Sequence, residues 1–457
     1  MLAHSFIKLP RIDNAYIVGG AVRDLLLGEI PSDYDMVVLD DPQEAASRAA
    51  RHLNGRLVKL GRSNELLFRI VTDEMKIDIS RLKGNSIRED LQQRDFTINA
   101  MAYDISSAQI IDCHGGRQDL GNRIVRLVSK RAFRDDPIRL LRAYRLASAL
   151  QFDIDPFTEE MIQKEAGLIP QAAPERIREE FFLMLKTPHA CSYIRRMVTT
   201  GVLFGIFPEL KKLQGCIQNG FHVDDVLDHT LKAFFHLESI INNPESIGPD
   251  LPRPVRRIAG KKKTVLLKCA LLLHDIGKPY ARTTDAGGRI HFYRHEQIGA
   301  EMVKTITLRL RFSTFETDFL EFMIRNHLRP LLLFQASENK KLTHRARVRF
   351  FMKAGENTPF LLLHAIADQK SKYKASNDSF LAFSLNMLNR FYKEYRIMRT
   401  KPPLITGHDL IKEFGLNPSP RFGKILRMVE EARLSRQITS KEEALGLVQN
   451  YLASTGY

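Results

Sequence analysis

Ala15-Tyr16-Ile17-Val18-Gly19-Gly20-Ala21-Val22-Arg23-Asp24 is the stretch that decides how the chain begins to fold. Four strand-forming residues run into two glycines, and residues 22–27 then read as a short helix. Glycine lets the backbone approach a phosphate closely. The start of a helix adds unpaired N–H groups and the positive end of its dipole, and Arg23 adds a charged fork. Outward from this turn, residues 34–39, 56–60, 66–71 and 75–79 read as further strands, so residues 1–127 carry an α/β pattern. From about 130 to 200 the pattern is helical. Asp135-Asp136-Pro137 opens one helix and Ala173-Pro174-Glu175 another. Residues 201–398 read as mostly helical and rich in histidine. Pro402-Pro403 precedes a tail of two or three short helices.

The 457 residues include 69 Lys+Arg and 53 Asp+Glu, a formal charge of 69 − 53 = +16. With 44% hydrophobic and 27% charged residues, the composition excludes a wholly disordered or fibrous chain. No apolar run reaches the ~20 residues that span a bilayer; the best, 265–273, is interrupted by Lys268. Residues 1–16 lack the apolar core and cleavage site of a signal peptide. Cys113, Cys191, Cys216 and Cys269 lie far apart, which suits neither a disulfide framework nor a thiolate zinc site and implies a cytoplasmic location. The positive charge points to a polyanionic partner, nucleic acid ahead of membrane.

Ten residues after Arg23 comes Asp33-Tyr34-Asp35. In a strand, residues i and i+2 share a face, so the two carboxylates project together with bases roughly 6–7 Å apart. Like charges that close call for cations, and a pair of Mg²⁺ ions serving phosphoryl chemistry uses this arrangement. Asp78 reads equally as a third ligand or a salt-bridge partner. Asp95 and Asn99 share a face if their segment is helical. The Gly-rich turn at 112–120 reads as structural. Asp136, Arg139 and Arg142 are spaced by threes and face one way on a helix. An acceptor beside a donor can read a base edge, and it can equally be an ordinary ion pair.

The strings GGAVRDLLLG…SDYDMVV, RDFTINAMA, DCHGGRQDL, DDPIRLLRAYRLA and PERIREEF, in that order across 18–182, resemble the class II tRNA nucleotidyltransferase and bacterial poly(A) polymerase family. The resemblance implies an α/β nucleotidyltransferase head with a mixed sheet (1–127), an all-α neck (128–200), a helical HD domain (201–398) and a helical RNA-binding tail (399–457). It implies Asp33 and Asp35 as catalytic Mg²⁺ ligands. Gly19, Gly20 and Arg23 would cradle the triphosphate. Asp136 and Arg139 would select CTP or ATP, with Arg94 and Arg142 close by. The partner implied is tRNA, whose 3′-terminal CCA would be added or repaired with release of pyrophosphate. Two departures stand out. The segment 78–94 is shorter than the flexible loop that many CCA-adding members carry and that is associated with adding the terminal A. Gln93 replaces the first Arg of the family's RRD. CC-only addition, A-only addition and poly(A) synthesis therefore remain alternatives.

His229, His274-Asp275, His295, His327 and Asp368 are spread over the third region. Distant His and Asp brought together can chelate a divalent ion; with 14 histidines, some clustering is also expected without one. His229, His274, Asp275 and Asp368, with LLLHDIGKP, resemble the HD metal-dependent phosphohydrolases. That resemblance implies a nickel, manganese or magnesium site and a hydrolase activity, with His295 and His327 where two-metal members carry further ligands. A hydrolase whose head merely holds RNA is the rival from another class, and the intact Asp33/Asp35 pair argues against it. Arg253, Arg256, Arg257 and Lys261 to Lys263 read equally as RNA-contacting or as a solvated loop.

Overall fold

The computed structural model describes residues 12–61, 66–217, 225–249, 251–258, 262–372 and 377–455. Lys261 of the basic string lies outside them. The chain divides into two compact units, Met1–Pro208 and Glu209–Tyr457.

The first unit is built on a mixed seven-stranded sheet. Its strands are β1 (Ala15–Val18), β2 (Asp33–Val38), β3 (Arg56–Leu60), β4 (Leu67–Val71), β5 (Lys76–Arg81), β6 (Met101–Asp104) and β7 (Gln109–Asp112), in the order β3-β4-β5-β2-β1-β6-β7. β2 and β5 run parallel, and the other neighbours run antiparallel. Ile17, Met36, Ile77 and Ile79 are wholly buried, which fixes the central register. In that register Val18 lies opposite Asp35, and Asp35 opposite Asp78. The end of β1 therefore abuts the start of β2. The Gly19-Gly20 turn and the Asp33/Asp35 pair are neighbours because two antiparallel strands share an end.

The sequence reading places strand ends within one or two residues, as helix and strand ends usually allow. It omits β6 and β7, four-residue strands without a polar/apolar alternation. One expectation needs correction. The helix does not open at Asp135-Asp136-Pro137. A helical turn, Ala132–Asp135, stops; Asp136 is extended (φ −151°, ψ 100°), and the long helix is Arg139–Leu150. Pro137 drives the residue before it out of the helical region. Asp136 and Arg139 are thus not on one helical face. Likewise Asp95 precedes a 3₁₀ turn, Thr97–Asn99, so Asp95 and Asn99 do not share a helix, although Asn99 Nδ2 donates to Asp95 Oδ1 at 3.2 Å.

The second unit is helical. Its centre is the helix Lys262–Leu273, buried continuously from Thr264 to Leu273. A helix that is apolar all round belongs inside a bundle. Here the helices Val226–Asn242, Thr314–Asn326 and Thr358–Lys370 pack against it. Lys268, the one charge in the run, meets Glu238 at 2.8 Å with both side chains buried. Pairing offsets the desolvation of both ions. No helix among the described residues is long and apolar enough to cross a membrane. The last three helices, Gly407–Phe414, Pro420–Leu434 and Lys441–Ser454, close on a small core of Ile405, Leu410, Ile425, Val429 and Val448.

Gly277 follows the His274-Asp275 pair and lies flat on the helix His295–Arg309. A Cβ there would sit 2.1 Å from the His295 carbonyl oxygen and 2.7 Å from the Gly299 nitrogen. Both obstacles are backbone and cannot swing away. Gly277→Ala is expected to cost about 2 kcal/mol or more, read as a lower denaturant midpoint with unchanged m-value. A neutral result would mean that the two segments are not in contact.

Candidate functional site

Gly19 has φ +75° and ψ −134°, a conformation that L side chains rarely adopt. A Cβ on it would lie 3.1 Å from Arg94 Nη1 and 3.6 Å from Asp35 Oδ2. The helix Gly20–Leu26 starts directly behind it without a side-chain cap, leaving first-turn N–H groups for a ligand. Asp33 is open to solvent, with Lys76 Nζ 3.8 Å away. The Asp35 carboxyl sits above its ordinary range. Desolvation raises it most, and Asp78 and Asp33 add to this against the lowering pull of Arg94 and Arg142. A carboxylate crowded by two others and countered by guanidiniums is a fitting seat for a divalent ion. Asp78 is engaged by Arg69, whose Nε and Nη2 each donate at 2.7 Å. Of its two readings, the salt bridge is the one the structure displays.

The Arg23 fork is engaged too, with Nε donating to Asp24 at 2.8 Å and Nη1 to Asn99 Oδ1 at 2.7 Å. Asn99 therefore orients Arg23. Arg94 donates twice to the buried Asp90 carboxylate, at 3.0 and 2.9 Å. Arg142 meets Asp95 at 3.1 Å and Glu180 at 3.5 Å. Arg139 donates to the Gln93 carbonyl at 2.7 Å. Although not on one helix face, Arg94, Asp136, Arg139 and Arg142 line one cavity of about 250 Å³. Asp136 pairs there with Arg176, at 3.1 and 2.8 Å, and not with Arg139. Sequence reasoning missed Arg176, which nothing in PERIREEF distinguishes from Arg178. It also missed Asp90, which the i, i+4 spacing to Arg94 could have revealed.

The HD residues converge in the second unit. His229, His274 and Asp368 form one ligand set, and Asp275, His295 and His327 a second. His229 Nε2 lies 2.9 Å from Asp368 and His274 Nε2 3.0 Å from Asp275. The His295 and His327 Nε2 atoms are 3.2 Å apart. All six residues are between 1% and 8% exposed. The Nδ1 atoms of His274, His295 and His327 reach the carbonyls of Leu271, Phe292 and Ile324 at 2.7, 2.8 and 2.7 Å. A carbonyl can only accept, so those Nδ1 atoms carry hydrogens, and Nε2 is the ring atom each histidine would turn to an ion. This is how metal-ligating histidines are held. Lys278 shares Asp275 Oδ2 with His274, at 2.7 Å, and Lys372 sits on Asp368 Oδ2, the oxygen away from His229, at 3.0 Å. His364, one turn before Asp368, stacks edge-on to His274, and both its ring nitrogens lack a hydrogen-bond partner among the described residues.

The poly A polymerase head domain family matches residues 15–126, and the probable RNA and SrmB-binding site of polymerase A matches 151–213. The HD domain matches 226–368, and the putative domain 2 of tRNA nucleotidyltransferase matches 324–448. The A-adding tRNA nucleotidyltransferase of Deinococcus radiodurans is 32% identical over 455 residues, covering 98% of this chain and 97% of that one. This chain is a member of the tRNA nucleotidyltransferase family. The CC-adding tRNA nucleotidyltransferase of Thermus thermophilus is 30% identical, with 97% and 95% covered. Two solved structures share the fold. A CCA-adding enzyme with ATP matches with TM-score 0.65 at 22% identity, over 100% of this chain and 93% of that one. The Thermotoga maritima CCA-adding enzyme complexed with tRNA_CCA matches with TM-score 0.63 at 22% identity, over 96% and 91%. The enzyme therefore has a nucleotidyltransferase head and an HD domain, both of which imply divalent metal use.

Proposed function

We propose that the enzyme transfers nucleotides from CTP and ATP to the 3′ end of tRNA, building or repairing CCA, through Asp33, Asp35 and the Gly19-Gly20 turn. The observation that carries this reading is the carboxylate pair abutting an uncapped helix start, with Arg94 beside Asp35. The turn's N–H groups and Arg23 receive the triphosphate. Mg²⁺ held by the two aspartates would neutralise phosphate charge and favour the ionised 3′-hydroxyl. The hydroxyl oxygen forms a bond to the α-phosphorus as the bond to pyrophosphate breaks. Positioning and charge supply most of the rate. Asp136, Arg139 and Arg142 present an acceptor and donors to the base. The four-part division at 127, 200 and 398 and a cytoplasmic location go with this reading. In the second unit the six-residue set takes a divalent ion, nickel, manganese or magnesium, and supports phosphohydrolysis of terminal phosphates.

A second reading, CC addition alone, is favoured by the connection between β5 and the helix Ile87–Gln92. Its five residues are tied down. The Lys83 N–H donates to Asp90 and the Asn85 N–H to Glu89, both at 3.0 Å, and a Cβ on Gly84 would sit 2.4 Å from Glu89 Oε2. Such a loop has little reach to re-form the base pocket for a second nucleotide. The test offers tRNAs ending before CCA, after CC and complete, with CTP and ATP singly and together. Label from both nucleotides supports full CCA synthesis, and C-only label supports CC addition. A-tails on any RNA, or phosphate loss without label, would overturn both.

A further inference from the structure

A cavity of about 350 Å³ opens in the second unit between the helices Thr314–Asn326, Arg329–Glu338 and His344–Ala354, with Leu361 also in its wall. It contains none of the six HD ligands. Its wall is of two kinds. Phe322, Leu333, Phe350 and Leu361 make an apolar part, and Phe350 and Leu361 are 6% and 1% exposed. Arg329, Arg345, Arg349 and Lys353 make a cationic part.

The charges do not balance. Arg345 and Arg349 share a single carboxylate, Glu431, with Arg349 Nε 2.9 Å from it. Arg329 and Lys353 have no ion pair or hydrogen bond among the described residues. Desolvation, then Arg329 and Arg325, hold the Lys353 ammonium below its ordinary range. All four cations are exposed and therefore solvated; gathered at one concavity, they make a local positive field that favours an anion. Thus the fold keeps four positive groups against one negative at a concavity whose size lies in the range of small-ligand sites.

We propose that this cavity is a second nucleotide site, taking one free nucleoside monophosphate with its base on the Phe322/Leu333/Phe350 wall and its phosphate between Arg329 and Lys353. An amphipathic ligand matches the wall best, because it covers the apolar part and meets the cations together. A bare phosphate leaves the apolar part wet, and an apolar compound leaves the cations unpaired. The phosphate carries enough charge for two cations, and guanidinium and ammonium groups are both established phosphate binders.

The test uses full-length enzyme with AMP, CMP, adenosine and inorganic phosphate as separate probes, read by calorimetry and by hydrogen exchange. AMP or CMP is expected to protect peptides covering 329–338 and 344–354. Arg329→Glu with Lys353→Glu is expected to weaken that event about tenfold or more. Binding at the head, and nucleotidyl transfer at saturating tRNA, should stay at the parental level. Lys353→Met alone, which keeps the stem and removes the charge, gives an intermediate loss and guards against misfolding of the double variant. Protection of the two helices by inorganic phosphate as strongly as by AMP would overturn the proposal in favour of a bare anion site. So would AMP binding unaltered in the double variant. Loss of tRNA affinity with no effect on AMP would overturn it in favour of an RNA contact. Failure of the transferase reading leaves these outcomes unaffected, because none of the probes reports transfer.

Discussion

Asp35→Ala is expected to lower nucleotidyl transfer by about 10³-fold or more with little change in thermal midpoint. Asp35 lies at the solvent end of β2, while the residues that fix the strand, Met36, Val37 and Val38, point into the core. Removing the carboxylate takes away a charge that Arg94 and Arg142 now face and that Asp33 cannot replace. Asp33→Ala should behave similarly, since its side chain is 72% exposed and supports no packing. Single-turnover transfer with saturating CTP separates a chemical defect from weak binding. Parental turnover by Asp35→Ala would remove the proposed role of the pair.

The second large effect concerns Asp275. Its two oxygens serve His274, His295 and Lys278 at 3.0, 3.3 and 2.7 Å. Asp275→Ala leaves two buried imidazoles and an ammonium without that carboxylate, at an expected cost of about 3 kcal/mol or more. Bound divalent metal per chain, measured by elemental analysis, should fall with it. Full metal content in the variant would exclude Asp275 as a ligand. Chelator treatment should then expose a pH dependence whose sign follows from the cluster. Burial first, then His274, pushes His364 down to about 3 from the ordinary 6.5. The unfolded chain therefore binds its proton more readily, and stability falls as pH drops below 6.5. Burial opposes a charge on His274, but Asp275 and Asp368 overcome it and hold it at about 9. That contribution is full below 6.5 and is lost as pH rises through 9. Asp275 and Asp368, held well below 3.8 by their basic neighbours against burial, stabilise above 3.8 and lose that contribution as pH falls further. These four groups place the stability maximum near pH 6.5. Hydrogen exchange in the helices 262–273 and 358–370 checks it; a flat profile from pH 5 to 9 would contradict the assignment.

Much of the head was legible because its signals are local. A β-branched run into Gly-Gly marks a strand and turn, and the i, i+2 spacing of Asp33 and Asp35 places them on one side of a strand. The cavity lined by Arg94, Asp136, Arg139 and Arg142 was legible in membership but not in geometry. Spacing by threes suggested one helical face, whereas Pro137 ends that reasoning one residue after Asp136. Arg176, forty residues on, pairs with Asp136 through the fold, and no local pattern carries such a pairing. The histidine cluster was found from residue types. Its division into two ligand sets, and the carbonyls that orient the rings, depend on which helix ends meet, a long-range property. The large cavity left no trace in the sequence, because apolar and basic residues on three helices look like ordinary amphipathic faces until the helices pack.

The seclusion of the six candidate metal ligands would have a kinetic consequence. With every one at most 8% exposed, an ion held there would not exchange by simple diffusion at a surface; the surrounding helices would first have to part, and such openings are rare events in a well-packed core. Occupancy would then be settled largely as the chain folds, leaving each molecule a long-lived imprint of the ions around it at that moment.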